Sequence, residues 1–236
     1  MEQEYIKIPK TSPFPKDTDL LRIIDDSIWK TWVFRHLLSF YKNYDREKLN
    51  AIIKLEQSKP YPRTERAIAK FLRKHLIDDK EFSLNFKKPL GELTNDEDVE
   101  GNYDIVIENT YWENRFYFEC KNLREDKPTL INEYVYCKKV KDEVHYFDGG
   151  VYRYFNGKYA QNQDFGGMIG FVLQGDAQPI KDKIIKKLED KFDISPKGDL
   201  QEIKYNSIEN NDFTFNSIHQ REGNYFTLHH LLFQFH

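Results

Sequence analysis

Cysteine is nearly absent. Two residues, Cys120 and Cys137, cannot make a disulfide framework in a chain of 236 residues, and they read as reduced thiols of a cytoplasmic protein. Long apolar runs are also scarce. None approaches the roughly 20 residues that span a bilayer, so no membrane segment is expected. The opening MEQEYIKIPK is acidic and polar, which does not read as a signal peptide. Neither sign of charge dominates, with 36 Lys and Arg against 39 Asp and Glu. That balance excludes an indiscriminate polyanion binder but leaves room for a local basic groove. There is no internal repeat, no low-complexity segment and no P-loop.

Aromatic residues are plentiful. The 18 Phe and 15 Tyr supply enough bulky apolar surface for a sizeable core. The length suits one large domain, or one domain with a helical extension. Residues 8–17, IPKTSPFPKD, carry three prolines and read as an extended arm. Over 17–45, apolar residues at 20, 21, 24, 28, 32, 37, 38 and 41 have helical spacing, with Asp17 to Asp19 as candidate N-caps. A second helix fits REKLNAIIKLEQ. SKPYP then breaks the chain, and a boundary there divides an N-terminal arm and helical region, 1–58, from an α/β domain, 59–236.

The next helix, RTERAIAKFLRKHLI, sets Ile68, Leu72 and Leu76 on one stripe at about 100° per residue, with Glu65 near its centre. A first-turn carboxylate after Pro62 is favoured by the helix dipole and can stay wet. EFSLNF, YDIVIE, RFYFECK and GMIGFVLQ read as strands, the first three as an antiparallel meander. MIGFVL is a continuous apolar run that suits a central strand buried on both faces. Ile180, Ile184, Leu188 and Phe192 recur every four residues in a helix whose other faces are rich in Lys and Asp. FTFNSIH reads as a strand, and YFTLHHLLFQF as a strand or helix that packs back. Strands flanked by helices indicate an α/β fold with helices on both faces of a sheet.

RFYFECK carries the chemistry. In a strand, Phe116, Phe118 and Cys120 point one way and Tyr117, Glu119 and Lys121 the other. Cys120 then reads as a small buried hydrophobe. On the preceding strand Tyr103, Ile105 and Ile107 share a face, and Asp104 and Val106 share the other. If the strands pair through NTYWEN, Asp104 comes beside Glu119 or Lys121. Two converging carboxylates suit Mg²⁺, and an adjacent lysine can hold the attacking water or stabilise transition-state oxygens.

The Asp-x14-Glu-x-Lys arrangement resembles the PD-(D/E)XK nuclease superfamily. The resemblance covers roughly 60–175 and departs at Tyr103, where proline often stands. It implies a restriction-endonuclease-like mixed β-sheet core flanked by helices, here with an N-terminal helical extension. It also implies Mg²⁺ (Mn²⁺ able to substitute) held by Asp104, Glu119 and the backbone carbonyl of Cys120, with Lys121 positioning water. Glu65 falls where the family places a helix glutamate. DGGVYRYFNGKYA, GGMIGFVLQGD and SIHQREGNYFTLHHLL look like segments of a group of small bacterial restriction-like nucleases.

By that likeness Arg153 and Lys158 lie near the active face and contact phosphate, while Arg153 and Tyr154 could equally cap or pack a helix. His219 and Arg221 read as nucleic-acid contacts or local packing. With His229 and His230 they match no standard zinc spacing. YCKKVKDEVH and the helix at 181–191 read as solvated faces that could rim a DNA site. The expected function is metal-dependent hydrolysis of phosphodiester bonds in nucleic acid, DNA first, in bacterial defence or DNA processing. A homodimer or a partner subunit is expected beside it. The alternative is a non-catalytic nucleic-acid-binding or assembly subunit that keeps the fold.

Overall fold

The computed structural model describes residues 6–8, 18–91, 93–95, 98–141, 144–156, 158–191 and 198–236. Nine of the ten residues of the expected arm (9–17, Asp17 among them) and Phe192 lie outside them, as does part of YCKKVKDEVH. The helices are α1 (Thr18–Leu21), α2 (Asp26–Asn43), α3 (Arg46–Gln57), α4 (Thr64–Asp78), α5 (Lys80–Asn85), α6 (Pro128–Val135) and α7 (Ala177–Lys191). The strands are β1 (Leu93–Asn95), β2 (Asp98–Tyr103), β3 (Ile105–Glu108), β4 (Arg115–Arg124), β5 (Cys137–Lys141), β6 (Val144–Asp148), β7 (Phe165–Gln174), β8 (Asp199–Tyr205), β9 (Thr214–Arg221) and β10 (Asn224–Gln234).

The six-stranded sheet is mixed, in the order β3-β4-β7-β10-β9-β8. β4, β7 and β10 run parallel at its centre, and antiparallel pairs close both flanks. β1–β2 and β5–β6 are separate two-stranded ribbons. Strand alternation sends β7 side chains to two cores. Phe165, Ile169 and Phe171 join a cluster with Trp29, Phe34, Leu37, Ile68 and Leu72 from α2 and α4. Met168 and Val172 join Ile131, Tyr134, Ile180 and Ile184 from α6 and α7. Helices thus cover both faces, and β7 is buried along Phe165–Val172, as its apolar run predicts. α2 and α3 belong to the same core as the sheet.

Several expected elements are corrected. EFSLNF forms helix α5. Asp79 caps it by accepting from the Glu81 and Phe82 N–H groups, and Phe82 is buried while Leu84 is 84% exposed. An apolar residue at every second position mimicked a strand, but a local cap decides the conformation. The meander therefore reduces to the β3–β4 hairpin. The helix expected over 17–45 breaks after Leu21, and α2 starts anew at Asp25, whose side chain accepts from Ser27 N–H. The C-terminal segment is a strand, paired on both sides. Tyr103 does not share a face with Ile105. A bend at Asp104 turns it to the opposite cluster, where it stacks on Tyr117 at 4.2 Å between ring centroids and meets Tyr159 at a tilt, 4.4 Å away.

Gly166 explains part of the GGM segment. A Cβ there would strike the Tyr154 ring, whose hydroxyl bonds the Gly167 carbonyl at 2.8 Å. That close approach seats the 3₁₀ turn Val151–Tyr154, which carries Arg153, against the strands.

Candidate active site

The site forms where β4 runs past the beginning of β3. Ile105 pairs with Phe118, and one residue earlier the chain bends at Asp104. The Asp104 N–H donates to the Phe118 carbonyl at 3.2 Å. Its Oδ2 accepts the Cys120 N–H at 2.7 Å. A side-chain carboxylate thus satisfies a donor of the central strand and is fixed beside the Glu119–Lys121 segment.

Glu119 is 1% exposed, and three donors converge on its carboxylate. Lys121 Nζ reaches Oε1 at 2.6 Å, Arg153 Nη1 reaches Oε1 at 2.9 Å, and the Tyr159 hydroxyl donates to Oε2 at 2.9 Å. A buried carboxylate is costly unless it is paired and hydrogen-bonded, and here it is both. Lys121 Nζ also donates to the Cys120 carbonyl at 2.9 Å and to Glu65 Oε1 at 3.1 Å. Glu65, in the first turn of α4, accepts the Asn122 N–H through Oε2 at 3.1 Å. The helix carboxylate is therefore tied to β4 while its side chain stays 29% exposed.

Burial first, and then the Glu119 charge, pushes the Asp104 carboxyl up to about 7. Glu65 is also raised, chiefly by burial, with Lys121 pulling the other way. Burial disfavours the Lys121 ammonium, but the carboxylates of Glu119, Glu65 and Asp104 outweigh it and hold its pKa well above the ordinary lysine range. Lys121 is therefore a cation that donates, not a base. The Cys120 thiol is fully buried and pushed up by burial, so it stays protonated.

Of the residues singled out from sequence, Asp104, Glu119, Lys121, Glu65 and the Cys120 carbonyl come together. Arg153 joins them, but its partners are two carboxylates and the Tyr159 hydroxyl. It donates to Asp148 through Nε at 2.8 Å and Nη2 at 3.3 Å while reaching Glu119. Lys158 lies on the adjoining loop, with its backbone N–H on Asn156 Oδ1.

His219 packs locally, the second of its two readings from sequence: it is 0% exposed, bonded to the Gly198 carbonyl and Ser217 Oγ, and lowered to about 4 by burial. Arg221 clamps the loop before β7, donating to the carbonyls of Tyr154, Ala160, Gln161 and Gln163. Its contacts are intramolecular, in keeping with the local-packing reading of this arginine. Tyr159 and Asp148 were missed. Tyr159 lay inside the quoted GKYA segment, but nothing in a linear sequence aims its hydroxyl at Glu119.

Among the described residues no group of three or more His, Cys, Asp or Glu is arranged as a ready metal cage. The donor chemistry nonetheless fits a hard divalent cation. Asp104, Glu119, Glu65 and the Cys120 carbonyl offer only oxygen. Four carboxylates, counting Asp148, face two side-chain cations, Lys121 and Arg153. With all four ionised, two more positive charges would balance the cluster, and the raised Asp104 and Glu65 carboxyls show the cost of leaving it unbalanced. No described helix is long and apolar enough to cross a membrane. Compared with known protein families, curated proteins and solved structures, the chain matches none.

Proposed function

We propose that the chain is a metal-dependent phosphodiester hydrolase acting on nucleic acid, with DNA as its first expected substrate, on a restriction-endonuclease-like core. One observation carries this reading. A single ammonium, Lys121 Nζ, bonds Glu119 Oε1, the Cys120 carbonyl and Glu65 Oε1, and Asp104 is anchored on the adjacent Cys120 N–H. A surface ion pair worth about 0–1 kcal/mol does not account for a Glu119 side chain only 2% exposed. The order of elements supports the finer fold reading: a helix with Glu65, a strand led by Asp104, an antiparallel strand with Glu119 and Lys121, then a parallel buried strand after a helical crossover.

Asp104, Glu119, the Cys120 carbonyl and Glu65 would hold Mg²⁺, which supplies Lewis-acid polarisation of a phosphoryl oxygen and a more acidic water. The remaining work falls to the chain. Lys121, kept protonated, orients the water whose oxygen attacks phosphorus and faces the charge that grows on the phosphoryl oxygens. Arg153 and Tyr159 hold the Glu119 carboxylate still. The attacking water releases one proton to solvent, and the P–O ester bond breaks as the new one forms. The departing oxygen takes a proton from solvent, leaving a phosphate monoester and a hydroxyl.

The test is incubation of the protein with supercoiled and linear DNA, and with RNA, in Mg²⁺ or Mn²⁺ and then in EDTA. Cleavage that needs the metal and is lost in Asp104→Ala and Lys121→Ala supports the proposal. A wild-type protein that neither cleaves any of these substrates nor binds either metal overturns it.

A further inference from the structure

A second feature lies one tyrosine ring away from Glu119. Tyr159, which donates to that carboxylate, also lines an open cleft of about 380 Å³ together with Gln161, Asn162 and Glu222. A neighbouring cleft of about 280 Å³ shares Gln161, Asn162, Arg221 and Glu222 and extends to Asn224 and Tyr225 at the tip of the β9–β10 hairpin. The larger one falls within the roughly 300–1,000 Å³ of small-ligand sites. We propose that these two adjoining clefts, between the 160–164 loop and the β9–β10 hairpin, together bind a nucleobase of the strand being cut, with Asn224 and Tyr225 of the smaller one at its outer edge. The proposal rests on the hydrolase reading for its substrate class.

The walls are preorganised. Ala160 holds φ +50°, a left-handed conformation that an alanine rarely adopts. It is fixed from both sides. Its N–H donates to the Tyr103 hydroxyl at 2.8 Å, and its carbonyl accepts from Arg221 Nη2 at 2.9 Å. Arg221 stacks on Phe226, with its guanidinium 4.2 Å from the ring centroid. The loop is thus held in an unusual shape that leaves Gln161 and Asn162 exposed to solvent.

The chemistry of the lining selects the ligand. Arg221 donates to main-chain carbonyls, and in the smaller cleft the carboxylates of Glu222 and Asp164 outnumber its single positive charge. A phosphate is disfavoured there. A neutral ring with donors and acceptors on its edge is matched. Carboxamides such as Gln161, Asn162 and Asn224 pair with adenine edges, and a carboxylate accepts from cytosine. Tyr225, 71% exposed, offers a ring face for stacking.

The test titrates each of the four deoxynucleosides into the full chain and follows the backbone amide NMR signals of residues 161–164 and 222–225. Nucleosides carry no phosphate, so binding is read apart from hydrolysis. Saturable shifts confined to those segments are expected. The best base should bind about fivefold or more tighter than the weakest. Asn224→Ala and Tyr225→Ala, at exposed positions that leave Tm unchanged, should flatten that preference. No saturable shift, equal shifts with free deoxyribose or inorganic phosphate, or an unaltered preference in both variants overturns the proposal. Base binding with neither cleavage nor metal binding would sink the hydrolase reading and keep the cleft. Cleavage without base binding would do the reverse.

Discussion

Lys121 Nζ lies 2.6 Å from Glu119 Oε1 and 2.9 Å from the Cys120 carbonyl oxygen. The ammonium therefore occupies the oxygens that this site would offer a divalent cation, and the two compete. Removing it should free them. Lys121→Ala is expected to bind Mn²⁺ about tenfold or more tighter than wild type, since a hydrogen bond to a charged group is worth about 1.5–3 kcal/mol, yet to cleave nothing. Calorimetric titration checks the first part. Weaker binding than wild type would count against competition. Without metal the same variant should lose about 3–5 kcal/mol of stability, because Glu119 stays buried with its closest cation gone.

Asp104 separates charge from hydrogen bonding. Its Oδ2 accepts the Cys120 N–H, and an asparagine carbonyl can do the same. Burial and Glu119 disfavour its ionised form, so Asp104→Asn removes an unfavourable charge. Above neutral pH the metal-free variant should be at least as stable as wild type, whereas Asp104→Ala should lose about 1–3 kcal/mol by orphaning the N–H. Both should lose the rise in Tm that Mg²⁺ gives the wild type. Thermal melts with and without Mg²⁺ decide it, and an Asn variant less stable than the Ala variant would refute the account.

The central strands, α3, α4 and α7 were legible because periodicity and burial agree there. Ile68, Leu72, Leu76, Ile180, Ile184 and Leu188 are all fully buried. EFSLNF misled because a cap at Asp79 outweighs an alternating pattern. The spatial grouping of Asp104, Glu119, Lys121 and Glu65 was legible from strand parity and one helix face. The roles of Arg153 and Arg221 were not. A guanidinium reads as a phosphate contact in sequence, and only the fold shows that one is held by Asp148 and Glu119 and the other by carbonyls. Tyr159 could not be read because its partner lies 40 positions away.

Tyr159→Phe keeps the buried ring and deletes the donor to Glu119 Oε2. The loss of a bond to a charged group should cost about 1.5–3 kcal/mol of stability. Because the hydroxyl acts through Glu119, kcat should fall by about tenfold or more with KM for the nucleic acid little changed, and the Mg²⁺ concentration for half-maximal rate should rise. An unchanged Mg²⁺ dependence would reduce Tyr159 to a packing residue.

The buried histidines make the fold acid-sensitive. The Gly198 carbonyl can only accept, so His219 Nδ1 carries a proton and its Nε2 accepts from the Ser217 hydroxyl. Ser217 Oγ then accepts from His230 Nε2, and His230 Nδ1 accepts from the Tyr134 hydroxyl. Every histidine in this relay is neutral. Burial lowers His219 to about 4 and His229 to about 3, and drives His230 well below its ordinary value. In the unfolded chain each would titrate near about 6.5. Between those values the unfolded state binds more protons, so stability rises with pH there. The contribution is complete above about 6.5, and it falls away as the pH drops toward about 4. The raised Asp104 carboxyl works in the opposite sense across the same window, so the measurement is made in Asp104→Asn, where urea midpoints taken stepwise from neutral pH downward should decrease steadily, by a few kcal/mol in total. A midpoint that stays flat through it would mean that these rings are protonated, or exposed, in the native state.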